Sequence, residues 1–262
     1  MKILGFDTAT RATAVALLDT DTGVATTRRD DPPRGERPRH TTRLMTLIVD
    51  VLGEAAADWD QVDRIAVGVG PGTFTGLRIG IATANALARA RGIELVGVST
   101  LHSLASGARG ARGATGARGA RGPRGAWGPS GTDGFTPGAI AAVIDARRGE
   151  VFAAGWSVQD VTSPDAEPLL TPQALAPEAL DAAMRGTRDS WLAVGDGAVE
   201  FRQALERSGA WIPEEDSERN RVDAVEHCRL AVGLRPEAPE GVRPEYLRLP
   251  DAEISLRAAR QR

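Results

Sequence analysis

Short apolar runs separated by polar turns open the chain. Ile3 to Asp7 reads as a buried strand and Thr13 to Leu18 as a second. Asp19-Thr20-Asp21-Thr22-Gly23 carries turn residues, and Val24 to Arg29 forms a third strand. Short connections between three strands predict an antiparallel meander. Asp30 to Arg39 is polar and proline-rich, a loop. At His40 the period changes to that of a helix running to Leu52. Leu44, Leu47, Ile48 and Val51 form one apolar stripe, and Met45, Val49 and Leu52 form another. A helix apolar on two sides cannot satisfy both against a single sheet. Two readings stay open: a central core helix, or one face on its own sheet and the other on a partner.

Ile65 to Val69 is nearly continuous in apolar residues, as in a parallel pairing. Gly70-Pro71-Gly72-Thr73-Phe74-Thr75-Gly76 links it to a helix running to about Ala90. Gly92 stops that helix, and Leu95 to Val98 is the next strand. Strand, helix, strand predicts a right-handed parallel crossover. A further helix over Leu101 to Ala105 is capped by Ser99 or Thr100. After it, ten glycines fall at every third position from Gly107 to Gly134. Arg109, Arg112, Arg118, Arg121 and Arg124 lie between them. The period is collagen-like, but the tract is short and poor in proline. A disordered inserted loop and a basic arm touching RNA are the readings that remain.

Order returns with a hairpin, Ala139 to Asp145 and Glu150 to Trp156, around Ala146-Arg147-Arg148-Gly149. Pro172 to Met184 reads as helix, Trp191 to Val194 as strand, Asp196-Gly197 as the start of a helix to about Arg207, and Asp223 to Val232 as helix. Antiparallel strands ending near an acidic turn thus occur twice. That pattern predicts an α/β protein of two RNase H-like subdomains, with mixed sheets flanked by helices. The expected units are 1–104, an insertion at 105–138, a second subdomain at 139–220, a helix and tail at 221–249 that packs back on the first subdomain, and a disordered polar tail at 250–262.

Composition narrows the function. The 262 residues carry a formal charge of −3, so any RNA contact is local or delegated to a partner. Lys2 is the only lysine, which reads as codon bias. Cys228 is the only cysteine, which excludes an intrachain disulfide and a cysteine metal cluster. No apolar run is long enough to span a membrane, and the N-terminus lacks the parts of a signal peptide, so the cytoplasm is expected.

The candidate chemistry sits at two turns. Asp7-Thr8-Ala9-Thr10 follows the first strand, where ATPases of the actin, sugar-kinase and heat-shock superfamily hold metal-bound phosphate. Ala9 stands where glycine would allow close approach. Glycines at a helix N-terminus leave backbone N–H groups free for an anion. Asp7, Thr8, Thr10, Gly70, Gly72 and Thr73 are therefore candidate nucleotide-binding residues. Against this, Leu77-Arg78 follows Gly76 where a phosphate loop needs lysine. His40, His102 and His227 are too dispersed for a zinc site. Asp7 and Asp145 alone do not make a two-metal nuclease site. No nucleophile elbow is present, and Cys228 beside His227 on a helix is read as incidental.

The segment Gly70-Pro71-Gly72-Thr73-Phe74-Thr75-Gly76-Leu77-Arg78-Ile79-Gly80 closely resembles the signature of the TsaB family. Asp7-Thr8-Ala9, His40, Gly97-Val98-Ser99-Thr100-Leu101, Asp145-Ala146-Arg147-Arg148-Gly149-Glu150-Val151, Gly195-Asp196-Gly197 and Pro244-Glu245-Tyr246-Leu247-Arg248 agree in order. The resemblance implies the actin/sugar-kinase/heat-shock ATPase fold without metal-binding histidines. It implies a non-catalytic subunit that binds and supports TsaD, the transferase that places threonylcarbamoyl on adenosine beside the tRNA anticodon, together with the ATPase TsaE. It implies a heterodimer through the first two helices, for which His40, Leu44, Leu47, Ile48, Val51, Leu77, Ile81, Ala84 and Ala88 are the expected interface. One charge at Leu47 or Ile81 is then expected to abolish docking of a folded protein. In isolation a homodimer through the same helices is expected to compete. No catalytic residue, metal or cofactor of its own is implied; any ATP or ADP belongs to the assembled complex, and tRNA is met mainly through it. The competing function class is an independent ATPase or peptidase of the same fold.

Overall fold

The computed structural model describes residues 1–33, 35–110, 136–187 and 189–248. Most of the glycine-arginine tract, with Arg112, Arg118, Arg121 and Arg124, lies outside them, as does the tail 250–262.

The first sheet is built from β1 (Lys2–Asp7), β2 (Thr13–Asp19), β3 (Ala25–Asp30), β4 (Arg64–Gly70) and β5 (Glu94–Ser99), in the order β3-β2-β1-β4-β5. The first three pair antiparallel, and β4 and β5 run parallel to β1. The second sheet repeats the plan with β6 (Ala139–Arg147), β7 (Glu150–Ser157), β8 (Leu170–Leu175) and β9 (Trp191–Val194), in the order β8-β7-β6-β9. Here β6, β7 and β8 are antiparallel and β9 is parallel to β6. Two mixed sheets of one topology, each opened by a meander and continued by a crossover, make this a duplicated α/β fold.

Helices cover the sheets. α1 (His40–Glu54) and α2 (Phe74–Arg91) pack on the first sheet. α1 turns His40, Leu44, Leu47, Ile48 and Val51 inward at spacings of three and four, the period of one helical face. α2 does the same with Leu77, Ile81, Ala84 and Ala88. α2 ends at Gly92, whose φ of 67° is the left-handed conformation that glycine adopts without a Cβ penalty. Its last turn carries Arg89 and Arg91, favourable against the helix dipole.

α3 (Thr100–Gly110) runs further than its sequence pattern indicates, so Gly107 to Gly110 are helical. It sits between the halves. Leu101, Leu104, Ala105 and Ala108 pack into the core of the second sheet, while its polar side faces α7 (Ala224–Ala231). α7 lies across β1 and β2 with Asp223 as its N-cap.

Two expected helices differ. Pro172 to Met184 is half strand: β8 takes Leu170–Leu175, and α4 (Pro177–Gly186) begins afterwards with Pro177 in its first turn. Pro172 is tolerated because β8 is an edge strand. The helix after Asp196 is broken at Phe201 into α5 (Asp196–Glu200) and α6 (Arg202–Leu205). Phe201 leaves the helical path to pack on the core of the second half.

The nine residues expected at a partner interface are all buried in this chain's own core, from 0% for Leu77 to 5% for Ile81. The expectation that they present a surface is corrected. They are the face that each helix gives to its own sheet, and burial of each aliphatic side chain contributes about 1.5–3 kcal/mol. Leu47→Ala is accordingly expected to cost about 2–5 kcal/mol in a urea unfolding experiment. Leu47→Glu is expected to prevent folding, which a far-UV spectrum of the purified variant checks.

Candidate functional site

Two turns meet at the carboxyl ends of β1 and β4. Asp7-Thr8-Ala9-Thr10 leaves β1, and Gly70 to Gly76 leaves β4 and enters α2. Gly70 has φ of 106° and a cis bond to Pro71. The space between the turns is filled by the chain itself. The Thr8 hydroxyl donates to the Gly76 carbonyl at 2.7 Å, and the Thr73 N–H donates to the Ala9 carbonyl at 2.7 Å. A methyl group built on Gly76 would lie 1.9 Å from the Thr8 carbonyl oxygen, and one on Gly72 would lie 2.3 Å from that of Ala9. One on Gly80 would meet the Thr8 hydroxyl at 2.4 Å. These glycines let backbone meet backbone, and they leave no cradle for a phosphate. Of the candidate nucleotide residues, Asp7 and Thr8 are buried, Gly70, Gly72 and Thr73 form the packed turn, and Thr10 lines a cleft.

Asp7 is the centre of a buried network. Its Oδ1 accepts the Ala9 N–H at 2.7 Å. Its Oδ2 accepts the Thr100 hydroxyl at 2.7 Å and lies 3.0 Å from His227 Nε2. The other ring nitrogen, Nδ1, is 2.7 Å from Ser103 Oγ. Asp7 and His227 are 1% and 0% exposed. Gly68 makes room, since a methyl group there would lie 1.9 Å from Asp7 Oδ2. Burial raises the Asp7 pKa, but the bonds from His227, Thr100 and Ala9 outweigh it and hold the carboxyl below its ordinary value.

Serine, histidine and aspartate in line look like a hydrolase triad. All three are buried, so no substrate reaches the hydroxyl. Both Asp7 carboxylate oxygens are engaged by partners within the chain. Among the described residues no three His, Cys, Asp or Glu side chains form a metal-binding group. The Cys228 thiol is buried, its pKa is pushed up by desolvation, and it donates to the Ile3 carbonyl at 3.3 Å.

The matching turn of the second half is different. Asp145 pairs with Arg147 at 2.9 Å, and its backbone N–H donates to Asp196 Oδ1 at 3.0 Å. Desolvation raises the Asp196 pKa, and the Asp145 charge adds to this. Asp196 lines a cleft of about 190 Å³ between the halves with Thr10, Arg11 and Arg221. Asp145 belongs to this turn of the second sheet, whereas Asp7 is sealed in the network at β1. The sequence pattern does not mark His227, Thr100 and Ser103 as members of one network with Asp7. The available signal was a histidine on the buried face of a helix, which gains meaning only once α7 is known to cross β1.

The outward sides of α1 and α2 are apolar in part. Met45 is 43% exposed and Val49 57%. Ala82, Ala86 and Ala90 are exposed on α2. At the start of α2, Phe74 stacks on Tyr246 with 5.5 Å between centroids, and the Arg78 guanidinium lies 3.8 Å over the Phe74 ring. No helix among the described residues is long and apolar enough to cross a membrane.

A duplicated α/β fold of two like mixed sheets, with its glycine-rich turn packed against the turn after β1, defines the class of this protein. The family model of TsaD, tRNA N6-adenosine threonylcarbamoyltransferase, matches residues 32–117. The transferase of that name from Erythrobacter litoralis is 30% identical over 117 residues, covering 40% of this chain and 34% of that protein. The tRNA threonylcarbamoyladenosine biosynthesis protein TsaB of Escherichia coli is 32% identical over 253 residues, covering 95% of both chains. A solved structure of YeaZ from Pseudomonas aeruginosa superposes with a TM-score of 0.68 at 27% identity, covering 94% of this chain and 99% of that one. The chain belongs to the TsaB family.

Asp7→Asn is expected to lower stability at pH 7 by about 3 kcal/mol or more, because it leaves buried donors facing an amide. The folded-state pKa of Asp7 lies below its unfolded value. Its contribution is therefore present above about pH 4 and is lost as pH falls through the folded pKa. Urea midpoints measured from pH 7 downwards should fall on acidification for the native protein, and less for the variant. Equal midpoints at pH 7 would remove the network's stabilising role.

Proposed function

We propose that this chain is the non-catalytic subunit of the bacterial machinery that transfers threonylcarbamoyl to tRNA adenosine. It binds TsaD as a heterodimer, with TsaE joining them, and acts in the cytoplasm. Any ATP or ADP belongs to the assembled complex.

The observation that carries this reading is the exposed stripe of Met45 and Val49 on α1, beside the small exposed residues Ala82 and Ala86 on α2. Both helices lie in the part of the chain that matches the TsaD family model. Two related subunits can then meet through equivalent helices around a pseudo-two-fold axis, the arrangement of an isologous interface. Small residues let the helices approach closely, and the larger ones supply buried area. The same stripe would pair two copies of this chain when TsaD is absent. The packed phosphate turn supports a role without chemistry of its own.

Met45→Glu and Val49→Glu are the tests, because both positions are exposed and the fold tolerates the change. Each is expected to weaken TsaD binding by about 30-fold or more, as for loss of a central interface residue. The measurement is calorimetric titration, with the thermal midpoint unchanged. Reconstitution with the cognate TsaD and TsaE should give modified tRNA with the native chain and little without it. Unaltered TsaD binding by both variants would reject this face.

A further inference from the structure

The C-terminal tail takes a path that the docking role leaves unexplained. It runs from the glycine turn of the first half to the hairpin of the second. The Glu245 N–H donates to the Val69 carbonyl at 2.7 Å. Tyr246 stacks on Phe74, and its hydroxyl accepts from Arg78 Nε at 3.3 Å. Leu247 packs on the core of the second half. The Arg248 guanidinium donates to Glu150 at 2.9 Å and to the Arg147 carbonyl at 3.4 Å.

Contact by contact, this lines up Phe74, Arg78, Tyr246, Arg248, Arg147 and Arg148 across both halves. Tyr246 is 43% exposed and Phe74 36%, and Arg78, Arg147 and Arg148 are exposed. Four arginines stand against Asp145, Glu150 and Glu245, on a chain whose net charge is −3. Burial raises the Glu245 pKa. The hairpin adds a second observation. Arg147 and Arg148 sit at φ of 65° and 58°, in a tight turn that asparagine and glycine enter with less strain. Two guanidiniums are held there at the expense of turn geometry.

We propose that this stripe is a contact surface for single-stranded RNA. Tyr246, braced by Phe74 and Arg78, offers a face on which a base stacks, and Arg147 and Arg148 meet phosphates. Aromatic faces beside cationic side chains are what unpaired RNA requires. The choice of tRNA as the RNA rests on the function proposed above.

The test measures binding of an unmodified tRNA transcript to the reconstituted complex with TsaD and TsaE across a salt series. Arg147→Asn with Arg148→Gly keeps the turn and its folding while removing both charges. It is expected to lower tRNA affinity at low salt and to flatten the salt dependence by about 0.7 per arginine removed. Tyr246→Ala is expected to lower affinity about fivefold or more, and Tyr246→Phe, which keeps the stacking face, to restore it. Unchanged tRNA affinity in both the arginine and alanine variants would overturn the proposal. So would a loss that appears equally in binding to TsaD without tRNA, which makes the stripe a protein contact. If the native chain fails to enter the complex at all, the function proposed above falls, and this surface with it.

Discussion

A carboxylate without water must have its charge met by the protein. Asp7 stands at the end of the central strand β1, fully buried, and three donors from three different segments close around it. Ala9 belongs to its own turn, Thr100 begins α3, and His227 lies on α7. An uncompensated charge in such a place costs several kcal/mol, so these segments are held together by what each would lose alone. α3 also packs on the second sheet. The position of the second half relative to the first is therefore tied to the same carboxylate.

The glycine segment follows from that arrangement. With Asp7 turned inward, Thr8 and Ala9 occupy the region in front of α2. The start of α2 can seat against them only if it carries no side chains there. Gly72, Gly76 and Gly80 meet that condition. A glycine-rich strand-to-helix turn has two physical uses, exposing N–H groups to an anion or bringing backbones together. Here the distances decide for the second. The consequence is a rigidly placed α2, and a rigid helix is a better docking element than a mobile one because less ordering is needed on binding.

Much of the fold was legible because its signals are local. Strand alternation, Gly92 as a helix stop and the repeated meander each depend on residues close in sequence. The failures share one cause: they depend on which neighbour a face meets. α1 has two apolar stripes, and periodicity alone does not say that Leu44, Leu47 and Val51 turn to the sheet while Met45 and Val49 turn out. Pro172 is compatible with a helix start by composition, and only the pairing of β7 with an edge strand makes it part of β8. His227 adjoins Cys228 in sequence, whereas its partners Asp7 and Ser103 are more than a hundred residues away. Apart from the Ala9 N–H, the polar network that closes the site is built from such long-range pairs.

Sealing the phosphate turn changes where selection for function can act. In a fold whose cleft binds nucleotide, the facing turns of the two halves must stay open to each other. Asp7 is locked to His227, whereas the second turn carries exposed side chains. Arg147 and Arg148 at the hairpin tip are what it carries here, and the tail brings Arg248 beside them. The tail in turn touches the glycine turn through Glu245 and α2 through Tyr246. The exposed faces of α1 and α2 are thus sterically continuous with a basic, aromatic edge. Rigid continuity between the two would let docking of one partner fix the orientation of the edge for another.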